Sequence, residues 1–261
     1  MFLRVLLFAA LLATALLLLA SWPQFLGLQR STPFAQAVAL RSWLVVAAGL
    51  LALAALAMAW VVPTGKANWS VLAVILLATG GLNVAVLVSR GLGSEAEGTR
   101  RPDTITVFAW NTLGGAPGAA AIVRFALDEG VDVLALPETT RPTAQEIARL
   151  MAAAGRPMQV FVTVGNSRSF TQSTALLVSE ALWEYRVDTT VGSTSGLPSL
   201  VVRPVGHGGP TFVAVHPVPP TPTRMNEWKD GLEWLTDLCR SRNVILAGDF
   251  NATLDHFHGL R

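Results

Sequence analysis

No aspartate or glutamate precedes Glu95, and the only charged side chains before it are Arg4, Arg30, Arg41, Lys66 and Arg90. A soluble domain carries about 25% charged residues, whereas this chain of 261 residues carries 14%. The first third therefore cannot build a soluble surface. Cys239 is the single cysteine, which excludes an intrachain disulfide and leaves the redox compartment unread. Glycine-rich phosphate loops, cysteine-based metal motifs and internal repeats are also missing. What is abundant is hydrophobic residues, 52% of the chain. All 17 acidic residues lie from Glu95 onward with the 14 remaining basic ones, giving net charges of +5 before and −3 after. The chain is two things in series.

Three apolar stretches fill the first part. Val5 to Ala20 is interrupted only by Thr14, Trp43 to Val62 has no strongly polar side chain, and Val71 to Val88 is interrupted only by Thr79 and Asn83. Crossing a bilayer takes roughly 20 apolar residues in a helix, so the stretches predict three spanning helices near 3–22, 43–62 and 69–88 within a membrane domain over 1–90. Trp22, Trp43, Trp60 and Trp69 sit at the ends of the runs, where aromatic belts lie. The first run could instead be a cleaved signal peptide ending in Leu19-Ala20-Ser21, but two further spans follow it, which favours three retained helices. Asn83 and the Gly80-Gly81 pair read as packing devices, since small residues let helices approach and an amide can bond between them. A transporter is disfavoured because no span holds an internal acid or base. The positive-inside count would put the carboxy-terminal half in the cytoplasm. A short tail followed by Arg4 reads instead as a signal anchor, which makes the expected location a multi-pass cell-membrane protein with its soluble domain outside the cytoplasm.

A polar linker, 91–103, separates this part from a domain expected over 104–261. Thr104 to Trp110 alternates as a strand. A helix follows Pro117, with Ile122, Phe125 and Ala126 on one face, and Gly130 ends it. Val131 to Leu136 is a buried type of strand, and the next helix, from Thr143 to Ala154, has Thr143 as N-cap and Glu146 at capping-box spacing. Four β-rich runs come next, near 159–164, 174–178, 199–202 and 211–215. An amphipathic helix, Asn226 to Arg240, precedes a last strand from Asn243 to Ala247. This order predicts an α/β domain of layered sheets.

Four segments place a polar residue directly after a hydrophobic strand: Asn111, Glu138, His216, and Asp249 with Asn251. Ligands of α/β folds gather at the carboxyl ends of strands. Two carboxylates and two amides without a thiolate form an oxygen-donor set, suited to Mg²⁺ or Ca²⁺. A histidine beside it can donate to a phosphoryl oxygen or act as a general acid. Singly, each residue has a plain alternative. Asn111, Asp249 and Asn251 suit turns, Glu138 could pair with Arg141, and His216 before Pro217 could be a hydrogen-bonded core histidine. Their joint occurrence at strand ends is much harder to assign to turns.

The segments Ile105–Gly115 (ITVFAWNTLGG), Val131–Thr139 (VDVLALPET), Phe212–Pro217 (FVAVHP) and Asn243–Thr253 (NVILAGDFNAT) resemble successive motifs of the endonuclease/exonuclease/phosphatase superfamily. More specifically, they are similar to its bacterial members with three amino-terminal membrane helices. The resemblance implies a four-layer α/β/β/α sandwich and divalent-metal phosphoester hydrolysis, with Mg²⁺, Mn²⁺ or Ca²⁺ as the ion. It implies that Glu138 binds the metal with Asn111 beside it, and that His216 contacts the scissile phosphate. Asp249 and Asn251 would orient the attacking water and hold the phosphoryl group. It also implies a later aspartate strand and a Ser-Asp-His-like motif bearing the general base. Neither follows within these 261 residues, and Asp255-His256, four residues past Asn251, reads as a local pair and not as that base. The expectation is a carboxy-terminally incomplete sandwich, weakly active or inactive as it stands.

Strong nucleic-acid binders cluster Lys and Arg. The second part has one lysine, Lys229, and scattered arginines, which weighs against a tight grip on long DNA. The expected substrate is a phosphoester of a nucleic acid, a nucleotide or a lipid headgroup; the bilayer is the other partner, and no obligate protein partner is evident. The rival reading is an inactive, membrane-tethered binding or scaffold module.

Overall fold

The computed structural model describes residues 2–63, 65–91, 104–165, 172–206, 208–241 and 243–260. The expected linker, Gly91 apart, lies outside them. The chain divides into two compact units: Met1–Gly98 with Thr253–His258, and Thr99–Ala252 with Gly259–Arg261.

The first unit contains α1 (Phe2–Ser21), the short α2 (Phe34–Ala39), α3 (Arg41–Val61) and α4 (Lys66–Ser89). α1, α3 and α4 are long and apolar enough to cross a membrane. Their packing is inside-out relative to a soluble bundle. Ala48, Ala52, Ala55 and Ala59 of α3 are buried against Leu72, Ala73 and Leu76 of α4, while Phe8, Leu50, Leu53, Trp43 and Trp60 face outward. In lipid, no hydrophobic force draws helices together, so small residues that permit close approach line the seam. A Cβ on Gly80 would already stand 3.5 Å from the Ala48 Cβ. Trp69 departs from the belt expected at the run ends, being buried in this seam.

The second unit holds two four-stranded sheets. One has the order β1 (Val107–Ala109), β2 (Val133–Pro137), β4 (Ser173–Ser179), β3 (Met158–Val164); the other runs β5 (Tyr185–Val187), β6 (Leu200–Pro204), β7 (Thr211–Val215), β8 (Val244–Gly248). Three helices accompany them: α5 (Ala119–Asp128), α6 (Arg141–Ala153) and α7 (Met225–Cys239). Strand periodicity divides the core. Leu134, Leu136, Ala175 and Leu177 meet Ile122, Ala126, Ile147 and Met151 of α5 and α6. The alternate residues Val133, Ala135, Leu176 and Val178 meet Leu200, Val202, Phe212 and Ala214 of the second sheet. Val201, Val213 and Val215, on that sheet's far face, are buried as well, as is the α7 ridge of Trp228, Leu232 and Leu235. Each such side chain contributes about 1.5–3 kcal/mol.

Two local readings need correction, and one strand went unread. α6 starts at Arg141 and is capped by Thr140, whose hydroxyl accepts from the Thr143 amide; Pro142 fits the first turn, where no amide hydrogen is needed. Phe125 is half exposed and packs on Phe108 with ring centroids 4.4 Å apart, leaving Val123 to complete the buried face of α5. The strand β5 has too few residues to show a period and escapes sequence reading.

Candidate active site

Two parallel strand pairs create the site. In the first sheet Ala109 is in register with Ala135, and the pairing continues through Trp110 N–H to Ala135 O and Thr112 N–H to Pro137 O. Asn111 and Glu138 therefore leave β1 and β2 side by side. In the second sheet Val215 is in register with Gly248, and the Asp249 amide donates to Val215 O. His216 and Asp249 leave β7 and β8 together in the same way. Gly248 is required here: its φ is +141°, and a Cβ would lie 2.3 Å from Val215 O.

The two pairs converge. Asn111 Nδ2 donates to Glu138 Oε1 and to Asp249 Oδ2, both at 3.0 Å. One amide thus bridges a carboxylate from each sheet. Its own Oδ1 accepts from the Leu113 amide at 3.0 Å, which sets the amide's orientation. His216 Nε2 lies 3.7 Å from Glu138 Oε1. Asp249 Oδ1 accepts from the Asn251 amide at 2.9 Å, and Asn251 Nδ2 donates to Pro217 O at 2.9 Å. Glu138 and Asn251 both hold left-handed backbone, with φ of 57° and 45°, a strain of a kind that clusters at functional sites. All five residues singled out from sequence meet at one place.

Sequence reading missed two supports. The Thr174 hydroxyl lies 3.2 Å from His216 Nδ1, and the Ser199 hydroxyl accepts from the His216 amide at 2.8 Å. Thr174 reaches the site because β4 runs antiparallel to β2 with Thr174 opposite Pro137, a pairing no local pattern announces. A cavity of about 540 Å³ adjoins these supports in the chain, lined by Thr163, Gln172, Ser193, Thr194 and Ser195 among others.

The electrostatics are unbalanced. Among the described residues no lysine or arginine lies within ion-pair distance of Glu138 or Asp249. Glu138 Oε2 and His216 Nε2 are buried without a hydrogen-bond partner. Burial lowers the His216 pKa from its ordinary value, against the opposing pull of Asp249 and Glu138. No group of three or more His, Cys, Asp or Glu that could enclose a metal occurs among the described residues. The donor set is two carboxylates, one with a bare oxygen. That suits a hard cation which retains most of its waters, as Mg²⁺ does when held by one or two carboxylates.

The second unit is thus a two-sheet α/β sandwich with an acid-amide-histidine cluster where parallel strand pairs from both sheets end. The chain belongs to the endonuclease/exonuclease/phosphatase family, which matches residues 108–258. No curated protein sequence matches it. Among solved structures it is similar to humanized D. rerio TDP2 carrying 14 mutations (15% identity, TM-score 0.41, 59% of this chain and 69% of that one). It is also similar to D. rerio TDP2 complexed with single-strand DNA product (16%, 0.43, 60% and 64%). A third is TDP2 from C. elegans (16%, 0.44, 70% and 58%). The chain spans less than two thirds of the length of the latter two.

Proposed function

We propose that the protein is a membrane-anchored, divalent-metal-dependent phosphoester hydrolase. The observation that carries this reading is the pair of carboxylates, Glu138 and Asp249, sharing one Asn111 amide, with no lysine or arginine among the described residues in ion-pair distance of them. Two like charges in a half-buried site call for a counter-charge, and a cation answers that need.

Glu138 would hold the ion through its bare oxygen, with Asn111 beside it keeping the two acids together. Bound there, Mg²⁺, or Mn²⁺ or Ca²⁺ in its place, would supply Lewis acidity to a phosphoryl oxygen. The rest belongs to the chain. When His216 Nδ1 accepts from Thr174, the proton resides on Nε2, the face turned toward Glu138, and a neutral His216 can donate it as a hydrogen bond to a phosphoryl oxygen. Asp249 accepts a hydrogen bond from the attacking water, and Asn251, held by Pro217 O, orients the phosphoryl group. Water oxygen bonds to phosphorus as its proton passes to bulk water, the ester P–O bond breaks, and the departing alkoxide takes a proton from bulk water. Donors fixed in advance around the charge that develops are the main source of rate.

The inside-out packing of α1, α3 and α4 supports a bilayer-spanning role. Arg30, Arg41 and Arg90, which weigh toward a cytoplasmic carboxy-terminal half, are engaged by Asp255 or by the carbonyls of His256 and His258. The extracytoplasmic placement is carried by the signal-anchor reading of the short tail before Arg4. The substrate stays at the level of a phosphoester in a nucleic acid, nucleotide or lipid headgroup.

The test is hydrolysis of a generic phosphodiester, bis(p-nitrophenyl) phosphate, by the full chain in detergent. Turnover, expected to be weak, should require Mg²⁺ or Mn²⁺ and fall to background in Glu138→Gln. Cation binding without turnover would return the chain to the binding-module reading.

A further inference from the structure

Asp255 and His256 take no part in the cluster just described; both are buried in the first unit. Asp255 Oδ1 accepts from Gln24 Nε2 at 2.6 Å and from Arg90 Nη2 at 2.7 Å, and lies 3.1 Å from Arg41 Nη2. Its Oδ2 accepts from Arg90 Nη1 at 2.8 Å, so the Arg90 fork is bidentate. Arg41 passes the connection inward, its Nη1 donating to Asn83 Oδ1 at 2.6 Å; Asn83 Nδ2 donates in turn to Ser21 Oγ at 2.9 Å. One chain of polar contacts thus ties Asp255 to α3, α4 and α1. His256 Nδ1 accepts from the Thr253 amide at 2.8 Å, and the other ring nitrogen is 3.0 Å from the Ala35 carbonyl, which needs a donor. That fixes a neutral tautomer. Arg30 adds hydrogen bonds to the carbonyls of His256 and His258. Every polar atom of the Asp-His pair is committed, which leaves neither residue free for proton transfer.

Sequence position gives this anchorage its meaning. Only Ala252 separates Asn251 from Thr253, and consecutive Cα atoms stay 3.8 Å apart. Asn251 and Asp249 occupy a loop whose backbone is left-handed at Asn251, a conformation that surroundings must impose.

We infer that Asp255 is a positioning residue for the adjoining Asp249–Asn251 loop, acting along the chain through Thr253 and Ala252. The inference rests on the hydrolase reading for its effect on turnover; the anchorage itself does not.

The primary experiment is therefore hydrogen exchange of the full chain in detergent, read over residues 249–258, for wild type, Asp255→Asn and Arg90→Ala. Both variants should exchange at least tenfold faster in this segment, with amides of β2 and β4 unchanged, and Asp255→Glu should recover part of the protection. Should Asp255→Asn fail to fold, Arg90→Ala alone decides, since Arg90 is partly exposed. Unchanged exchange over 249–258 in Arg90→Ala and Asp255→Asn would overturn the anchorage, whatever the activity. On bis(p-nitrophenyl) phosphate, Asp255→Asn should lower kcat while leaving the shape of the pH profile intact. A pH profile that loses a limb would instead make Asp255 or His256 a proton-transfer group and overturn the positioning role. Absence of turnover in wild type would fail the hydrolase reading but leave the exchange result standing.

Discussion

Asp255 in one unit is a buried carboxylate and Glu138 in the other a partly buried one, and their surroundings are opposite. Asp255 has both oxygens claimed by guanidinium groups, with Arg90 bidentate and Arg41 close behind. Burial by itself would raise its pKa, yet the two arginines hold it below the ordinary carboxylate range. Glu138 shares one oxygen with a neutral amide and leaves the other bare. In the helical unit Arg41 and Arg90 pair with Asp255, whereas among the described residues Glu138 and Asp249 have no such partner. A satisfied charge network holds a structure together; a buried oxygen without a partner, such as Glu138 Oε2, calls for an explanation, and the proposed cation is one.

The sharpest way to break this contrast is to neutralise each acid in turn and follow thermal unfolding in detergent. Asp255→Asn leaves buried guanidinium charge uncompensated and should cost about 3–5 kcal/mol. Glu138→Gln removes one of two mutually repelling charges and should raise stability of the cation-free protein by about 0.5–2 kcal/mol, as is common where a site trades stability for function. Equal destabilisation by both would erase the distinction.

A smaller effect separates the site histidine from ordinary surface titration. Its pKa falls below 6.5 on folding because burial disfavours the charged ring, so the unfolded chain binds the extra proton first. Stability from His216 is then fully present above about pH 6.5 and is lost as pH falls below it, by at most about 1.4 kcal/mol per pH unit. His256 shifts in the same direction for the same leading reason. Denaturant midpoints between pH 7 and 5 should show a slope that His216→Asn reduces; an unaltered slope would place the titration elsewhere.

Much of this was legible in the chain. Apolar runs gave the three long helices to within a few residues, because length and composition alone decide a spanning candidate. Alternation located most strands, and the habit of placing polar residues after hydrophobic strands picked out Asn111, Glu138, His216, Asp249 and Asn251. What was not legible depends on pairing across the fold. Thr174 supports His216 only through the β2–β4 register, and no periodicity encodes which strands become neighbours. The partners of Asp255 lie 165 and more residues away in Arg90, Arg41 and Gln24. In the sequence those arginines read as flanks of apolar helices, and Asp255 as half of a local Asp-His pair.

The most direct test of the central claim is a Mn²⁺ titration of the full chain followed by electron paramagnetic resonance, comparing wild type with Glu138→Gln and Asp249→Asn. The account predicts one site in wild type, weakened at least about tenfold in either variant. Binding of equal strength in wild type and Glu138→Gln would contradict it.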